Sequence, residues 1–313
     1  MPRPLLAAVA VTLAAAGSLI AQAPRKVAQI NFFANMTEGK LGSLYLLQGA
    51  GRHSLIVAAE DQTVLVGTKP EPGWGKPLLD KISNVTDQPV RVVINTNARD
   101  AAGNSEFPTA ETIVAHDNTT ARMAAMPAFQ GANARFVPNK TFTDRLSFPV
   151  KTVGESTGIN RVDLHYFGRG YTDGDVVVVF PQFGVAFMGD LLPDKVVPAV
   201  DMANGGSAVA FPETLAKAAA AIKEMKPAVR VLVPGRGPSP PGQIIISTWM
   251  RVSDLDEYVE FTRALVSAGR DAFAAGKSAD EAAASLSLPE KFKGYGTEQA
   301  KAYVSAIYAE LKK

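Results

Sequence analysis

The chain has 313 residues, 47% of them hydrophobic and 20% charged, which is ordinary globular composition and enough for a sizeable core. Its 32 basic and 30 acidic residues leave a net charge of +2, so a general nucleic-acid binder, which would show a basic excess or stripe, is excluded as the first reading. There is no cysteine and there are only three histidines. Disulfides, thiolate metal sites and cysteine nucleophiles are therefore ruled out, and imidazole chemistry is scarce.

Residues 1–23 read as a signal peptide. Arg3 gives a positive start, 5–20 are almost wholly apolar, and Ala21-Gln22-Ala23 is an A-x-A cleavage site. Pro24 directly after it is a poor residue for cleavage, so a retained anchor is the alternative, and membrane attachment is expected only in that case. The expected location is the periplasm or the exterior. Residues 24–313 are expected to form one domain with a C-terminal helical extension from about residue 250.

Short apolar, β-branched runs at 43–47, 54–58 and 63–66 predict strands separated by turns. Residues 74–82 have helical spacing, with Trp74, Leu78, Leu79 and Ile82 on one side. Strands follow at 90–94 and 112–115, the second running into a helix near 118–126. Further strands are predicted at 161–167, 176–180, 184–188 and 229–233. The unbroken Val176-Val177-Val178-Val179-Phe180 run suits a strand covered on both faces. An alanine-rich helix spans 215–225. Beyond residue 242 the pattern becomes helical: Tyr258, Phe261, Leu265 and Val266 share a face, Ser278 to Glu281 forms a capping box, and 298–311 makes a last helix. Strand clusters with helices entering between them define an α/β layered fold.

Local strings sharpen this. Val90-Arg91-Val92-Val93-Ile94-Asn95-Thr96 resembles the strand before the histidine-rich metal loop of metallo-β-lactamase-fold hydrolases. Gly170-Tyr171-Thr172-Asp173-Gly174-Asp175 is similar to that family's His-Thr-Asp-Gly-Asp turn. Gly189-Asp190-Leu191 is similar to its Gly-Asp-Leu loop, whose aspartate carries a bridging ligand. Val233-Pro234-Gly235-Arg236-Gly237-Pro238 is similar to its Pro-Gly-His-Gly loop. The strings occur in the family's order, and the resemblance runs from about Ser43 to Arg263. It implies a four-layer αββα sandwich with C-terminal helices and a site at one edge of the two sheets.

The departures bear directly on function. Where the resemblance calls for a His-x-His-x-Asp-His loop, this chain has Asn97-Ala98-Arg99-Asp100-Ala101-Ala102-Gly103-Asn104, in a shortened loop. Asn97 and Arg99 stand for the first two histidines, and Ala101 or Ala102 for the third. Asp100 matches the family's aspartate only if a gap falls before it. Tyr171 and Arg236 replace two more metal histidines, and Gly67 replaces an aspartate that orients a ligand. Asp190 is the only clearly retained ligand position. Guanidinium stays protonated and offers no lone pair, so no bound metal is expected.

Asn97, Arg99, Asp100, Tyr171, Asp190 and Arg236 are expected to form an Arg/Asp/Tyr pocket in which one or both of Arg99 and Arg236 pair with Asp190. Such a pocket would bind a small anionic ligand or a protein partner. The alternative is a hydrolase of an ester, amide or phosphate bond, using Asp190 with Asp100 or His165 around one weakly held zinc or other divalent ion, or without metal. A purely structural role is the third reading. Asp173 and Asp175 read most simply as turn formers, and His53 and His116 fall on no ligand position. No phosphate-binding loop is present in the sequence.

Overall fold

The computed structural model describes residues 31–34, 43–49, 52–152, 158–236 and 249–313. The predicted signal segment, 1–23, lies outside the described residues. Among the described residues twelve strands form two sheets. The first holds β1 (Asn31–Ala34), β2 (Leu44–Gly49), β3 (Arg52–Ala58), β4 (Thr63–Val66), β5 (Val90–Ile94), β6 (Thr112–His116) and β7 (Lys140–Phe142), in chain order. Its first four strands pair antiparallel, and β4 to β7 pair parallel. The second sheet orders β8 (Arg145–Pro149), β9 (Arg161–Tyr166), β10 (Val176–Phe180), β11 (Val185–Gly189) and β12 (Val231–Pro234) as β12-β11-β10-β9-β8. Only its β11–β12 pair is parallel.

The two sheets pack face to face, and strand alternation decides which side chains fill the space between them. Leu55 and Val57 of β3, Val64 and Val66 of β4, and Val176, Val178 and Phe180 of β10 share one buried cluster. The intervening residues point the other way. Ile56 and Leu65 meet Leu78 and Ile82 of α1 (Gly75–Ile82) and Met123 of α2 (Asp117–Ala125). Val177 and Val179 meet Phe211 and Leu215 of α3 (Phe211–Glu224) and Tyr258, Phe261 and Leu265 of α4 (Val252–Ala274). All three strands are buried at every position, and β10, covered on both faces, is hydrophobic throughout. The result is the four-layer αββα sandwich expected from the sequence.

The C-terminal helices join the outer layer. α5 (Ala279–Ala284) opens on the predicted capping box, with Ser278 and Glu281 bonding each other's backbone N–H. Tyr303 and Ile307 of α6 (Ala300–Leu311) pack in the same cluster as α3 and α4, and the Tyr303 hydroxyl donates to the Ala208 carbonyl at 2.9 Å. Among the described residues no helix is long and apolar enough to cross a membrane.

Strands β7 and β8 were not anticipated. Each lies at the end of its sheet, and the alternately exposed residues of β8 carry no continuous apolar signal.

Backbone bonds tie the strand ends together at one edge of the sandwich. The Gly67 N–H reaches the Ile94 carbonyl at 2.9 Å, Val176 N–H reaches Thr96 at 2.8 Å, and His53 N–H reaches Gly235 at 2.9 Å. The start of β3 and the C-terminal ends of β4, β5, β11 and β12 thereby converge.

Candidate functional site

Asp190 stands at the centre of this edge, directly after β11. The turn before it depends on two glycines. Gly189 has a φ of +54°, and a Cβ on Gly235 would lie 2.4 Å from the Gly189 carbonyl carbon. That close approach lets the Gly235 N–H donate to the Gly189 carbonyl at 2.8 Å. The Gly-Asp and Pro-Gly strings of the sequence are therefore two halves of one backbone contact, which sets Arg236 beside Asp190.

Both oxygens of Asp190 are engaged. Arg236 donates through Nε to Oδ1 at 2.6 Å, Asn97 donates through Nδ2 to Oδ2 at 2.9 Å, and Arg52 forms an ion pair with Oδ2 through Nη1. Asp190 is 4% exposed and Arg52 7%. Burial works against the Asp190 carboxylate, but the charges of Arg52 and Arg236 outweigh it, and the group titrates below its ordinary value. Arg52 also donates to the Tyr171 hydroxyl at 3.2 Å. The guanidinium carbons of Arg52 and Arg236 lie 5.5 and 5.4 Å from the centre of the Tyr171 ring, within cation–π range. Asn97 also accepts from the Arg99 N–H at 2.9 Å, so both ends of its amide are committed.

Two further ionisable groups lie behind this layer. Asp100 Oδ2 accepts from the Thr96 hydroxyl at 2.5 Å and the Thr96 N–H at 3.2 Å, while Oδ1 has no partner among the described residues. Burial pushes Asp100 up to about 6, although Thr96 and Arg52 oppose the shift. Gly67, at φ +75°, would place a Cβ 3.3 Å from Asp100 Oδ2, so a side chain at this position would crowd Asp100. Lys69, 1% exposed and at φ +81°, donates through Nζ to the Arg52 carbonyl at 2.5 Å and, weakly, to Leu47 at 3.4 Å. Burial, and then the Arg52 charge, bring Lys69 down to about 7.

The structure thus brings together five of the sequence-selected residues: Asn97, Asp100, Tyr171, Asp190 and Arg236. It does not bring Arg99 onto Asp190. The half-exposed Arg99 pairs instead with Asp201 at 3.5 Å, and Asp201 bonds the Tyr171 backbone, so Arg99 sits at the rim. His165 is also directed elsewhere. Alternation along β9 sends Leu164 between the sheets and His165 to the other face, where its ring stacks on Phe167 and its charged neighbours are Asp163 and Arg145. Asp175 closes its own turn through Thr172, and Asp173 pairs with Arg122 at 2.7 Å. His53 and His116 bond backbone carbonyls.

Arg52 and Lys69 were missed. Arg52 follows a Gly-Ala-Gly turn and reads as the polar start of a strand. The available signal was position: both residues flank strands whose ends meet at the predicted edge.

Metallo-β-lactamase-fold relatives usually bind zinc, which would need three or four neutral imidazole or carboxylate ligands. The residues present do not fit such an ion. Among the described residues no group of three or more His, Cys, Asp or Glu could hold a metal. Asp190 is already bonded by two fixed cations, and Lys69 adds a third titratable cation behind them.

No family model and no curated protein sequence matches the chain. Solved structures do. The stereoselective inverting sec-alkylsulfatase Pisa1 from Pseudomonas sp. superposes with a TM-score of 0.62 at 13% identity, over 86% of this chain and 49% of that one. A metallo-β-lactamase from Pontibacter korlensis gives 0.55 at 20% identity, over 75% and 99%. The metallo-β-lactamase FIM-1 from Pseudomonas aeruginosa, in its mono-zinc form, gives 0.54 at 14%, over 75% and 95%. The chain has the metallo-β-lactamase fold. It spans about half the length of the alkylsulfatase and nearly all of the lactamases.

Proposed function

We propose that this protein binds a small anion at the remodelled edge and does not hydrolyse through metal-bound water. One observation carries the reading. Arg236 uses only Nε on Asp190, its two Nη groups have no partner among the described residues, and its side chain is 36% exposed. A guanidinium fixed at one corner and open along its outer edge is suited to a carboxylate, sulfate or phosphate. Tyr171 beneath it and Arg99 at the rim add an aromatic floor and a second cation.

The test is titration of the purified protein with sulfate, phosphate and citrate at low ionic strength. Arg236→Ala is expected to weaken binding by about tenfold or more. Identical affinities for wild type and variant would end the proposal. An alkylsulfatase among the structural neighbours makes a sulfate monoester a natural further probe.

A second reading, hydrolysis of an ester, amide or phosphate bond at this edge, is favoured by Asp100. This buried carboxyl has an unpaired oxygen and titrates near neutrality, as general acid–base chemistry requires. Turnover of model esters that disappears in Asp100→Asn would select this reading.

We further propose export to the periplasm or exterior, on the strength of the apolar segment and the Ala21-Gln22-Ala23 site. N-terminal sequencing of the native protein tests it. A chain still starting at Met1 in the membrane fraction would replace cleavage with anchoring.

A further inference from the structure

We infer that Arg52 and Arg236 act as covalently delivered substitutes for a pair of metal ions, with Asp190 as their bridging carboxylate, and that they close this edge to divalent metals. Asp190 gives one oxygen to each guanidinium, so it joins two cations as a carboxylate bridges two ions. The two cations approach from different sheets. Arg52 opens β3 of the seven-stranded sheet, and Arg236 follows β12 of the five-stranded one. Both lie against the Tyr171 ring, and Asn97 takes the remaining bond to Oδ2.

The carboxylates of Asp190 and Asp100 have counter-charges without an added ion, because two guanidinium cations face them and Lys69 lies behind. Guanidinium does not deprotonate to make room for a competing cation. An arriving dication would meet two fixed like charges and a carboxylate whose two oxygens are already bonded. It would also have to break a buried ion pair to gain a single ligand. The inference is independent of anion binding, since it concerns only the inner faces of the two arginines.

The test uses the purified full chain, with zinc and manganese as probes, read by elemental analysis after dialysis and by competition with a chromophoric chelator. The wild type is expected to retain no stoichiometric metal and to show no metal-induced rise in melting temperature. Arg236→His exchanges a fixed cation for a neutral ligand beside Asp190, and zinc affinity should rise at least about tenfold over wild type. Arg52→Ala should lower the melting temperature, and adding Asp190→Asn to it should restore most of the loss. A mere packing role for Arg52 would leave the double variant as unstable as the single one. If Arg52→Ala does not fold, the pair Arg52→Lys and Arg52→Lys/Asp190→Asn replaces it, with the same ordering expected. One or two equivalents of metal on the wild type, at an affinity that Arg236→His leaves unchanged, would overturn the inference. Failure of anion binding alone would leave it standing.

Discussion

Arg52 and Asp190 are separated by 138 residues in sequence, yet their side chains form a buried ion pair that joins the two sheets. This pair and the one made by Arg236, rather than one made by Arg99, neutralise the carboxylate at the centre of the edge. Removing the carboxylate would leave two guanidiniums facing each other without the group that bridges them. Asp190→Ala is therefore expected to cost about 3–5 kcal/mol of folding stability, measured by denaturant unfolding. A cost below about 1 kcal/mol would mean that the pair is solvated like a surface bridge.

Lys69 should leave a signature in the pH dependence of stability. Its ordinary value is 10.5 and its folded value about 7. Between these limits the unfolded chain holds a proton that the folded chain has released. Stability should therefore rise with pH from about 7 to about 10.5, and the full cost of the buried charge applies below 7. Relative to wild type, Lys69→Met should be most favourable near pH 6 and lose that advantage towards pH 10. Parallel stability curves for the two proteins would show that Lys69 titrates normally.

Gly235→Ala should be poorly tolerated. Its Cβ would lie 2.4 Å from the Gly189 carbonyl carbon and 2.5 Å from its oxygen, and both are backbone atoms that cannot turn aside. The expected cost is about 1–3 kcal/mol, with Arg236 displaced from Asp190. Thermal unfolding and the anion titration would both register the change. Gly276→Ala provides a contrast: that glycine has no neighbour within 4 Å and only its φ of +73° to strain, so a smaller loss is expected.

The C-terminal helix should matter to the start of α3. Glu310 accepts from the Ser207 hydroxyl at 2.5 Å and the Ala208 N–H at 2.7 Å, while the Ser207 hydroxyl in turn accepts from the Ala210 N–H at 2.9 Å. Since Ala210 gives α3 no side-chain cap, this relay replaces one. Glu310→Ala is expected to cost about 1–2 kcal/mol and to speed amide exchange at residues 207–210.

The layers were largely legible in the sequence, because a central strand with both faces covered can be apolar throughout and the surrounding helices carry apolar stripes. Val176 to Phe180 and the Tyr258, Phe261 and Leu265 face are clear cases. The edge strands β7 and β8 were not, since exposed residues such as Arg145 and Ser147 dilute the pattern. At the site, order along the chain was enough to select Asp190, Arg236, Tyr171 and Asn97. It could not select Arg52, whose relevance depends on a contact between sheets and not on any local string. Arg99 failed in the opposite way. Its place in the loop was right, but the short turn at Ala98–Asp100 aims its side chain at Asp201, and that direction is set by backbone angles that residue types alone do not reveal.

The edge where the two sheets meet is fastened by side chains that belong to the chain itself. A protein whose halves are joined through captured ions depends on the ion content of its surroundings and is vulnerable to anything that strips those ions away. Here the fastening is translated along with the fold. On the proposed metal-free reading, its integrity is expected to be indifferent to metal supply and to chelators.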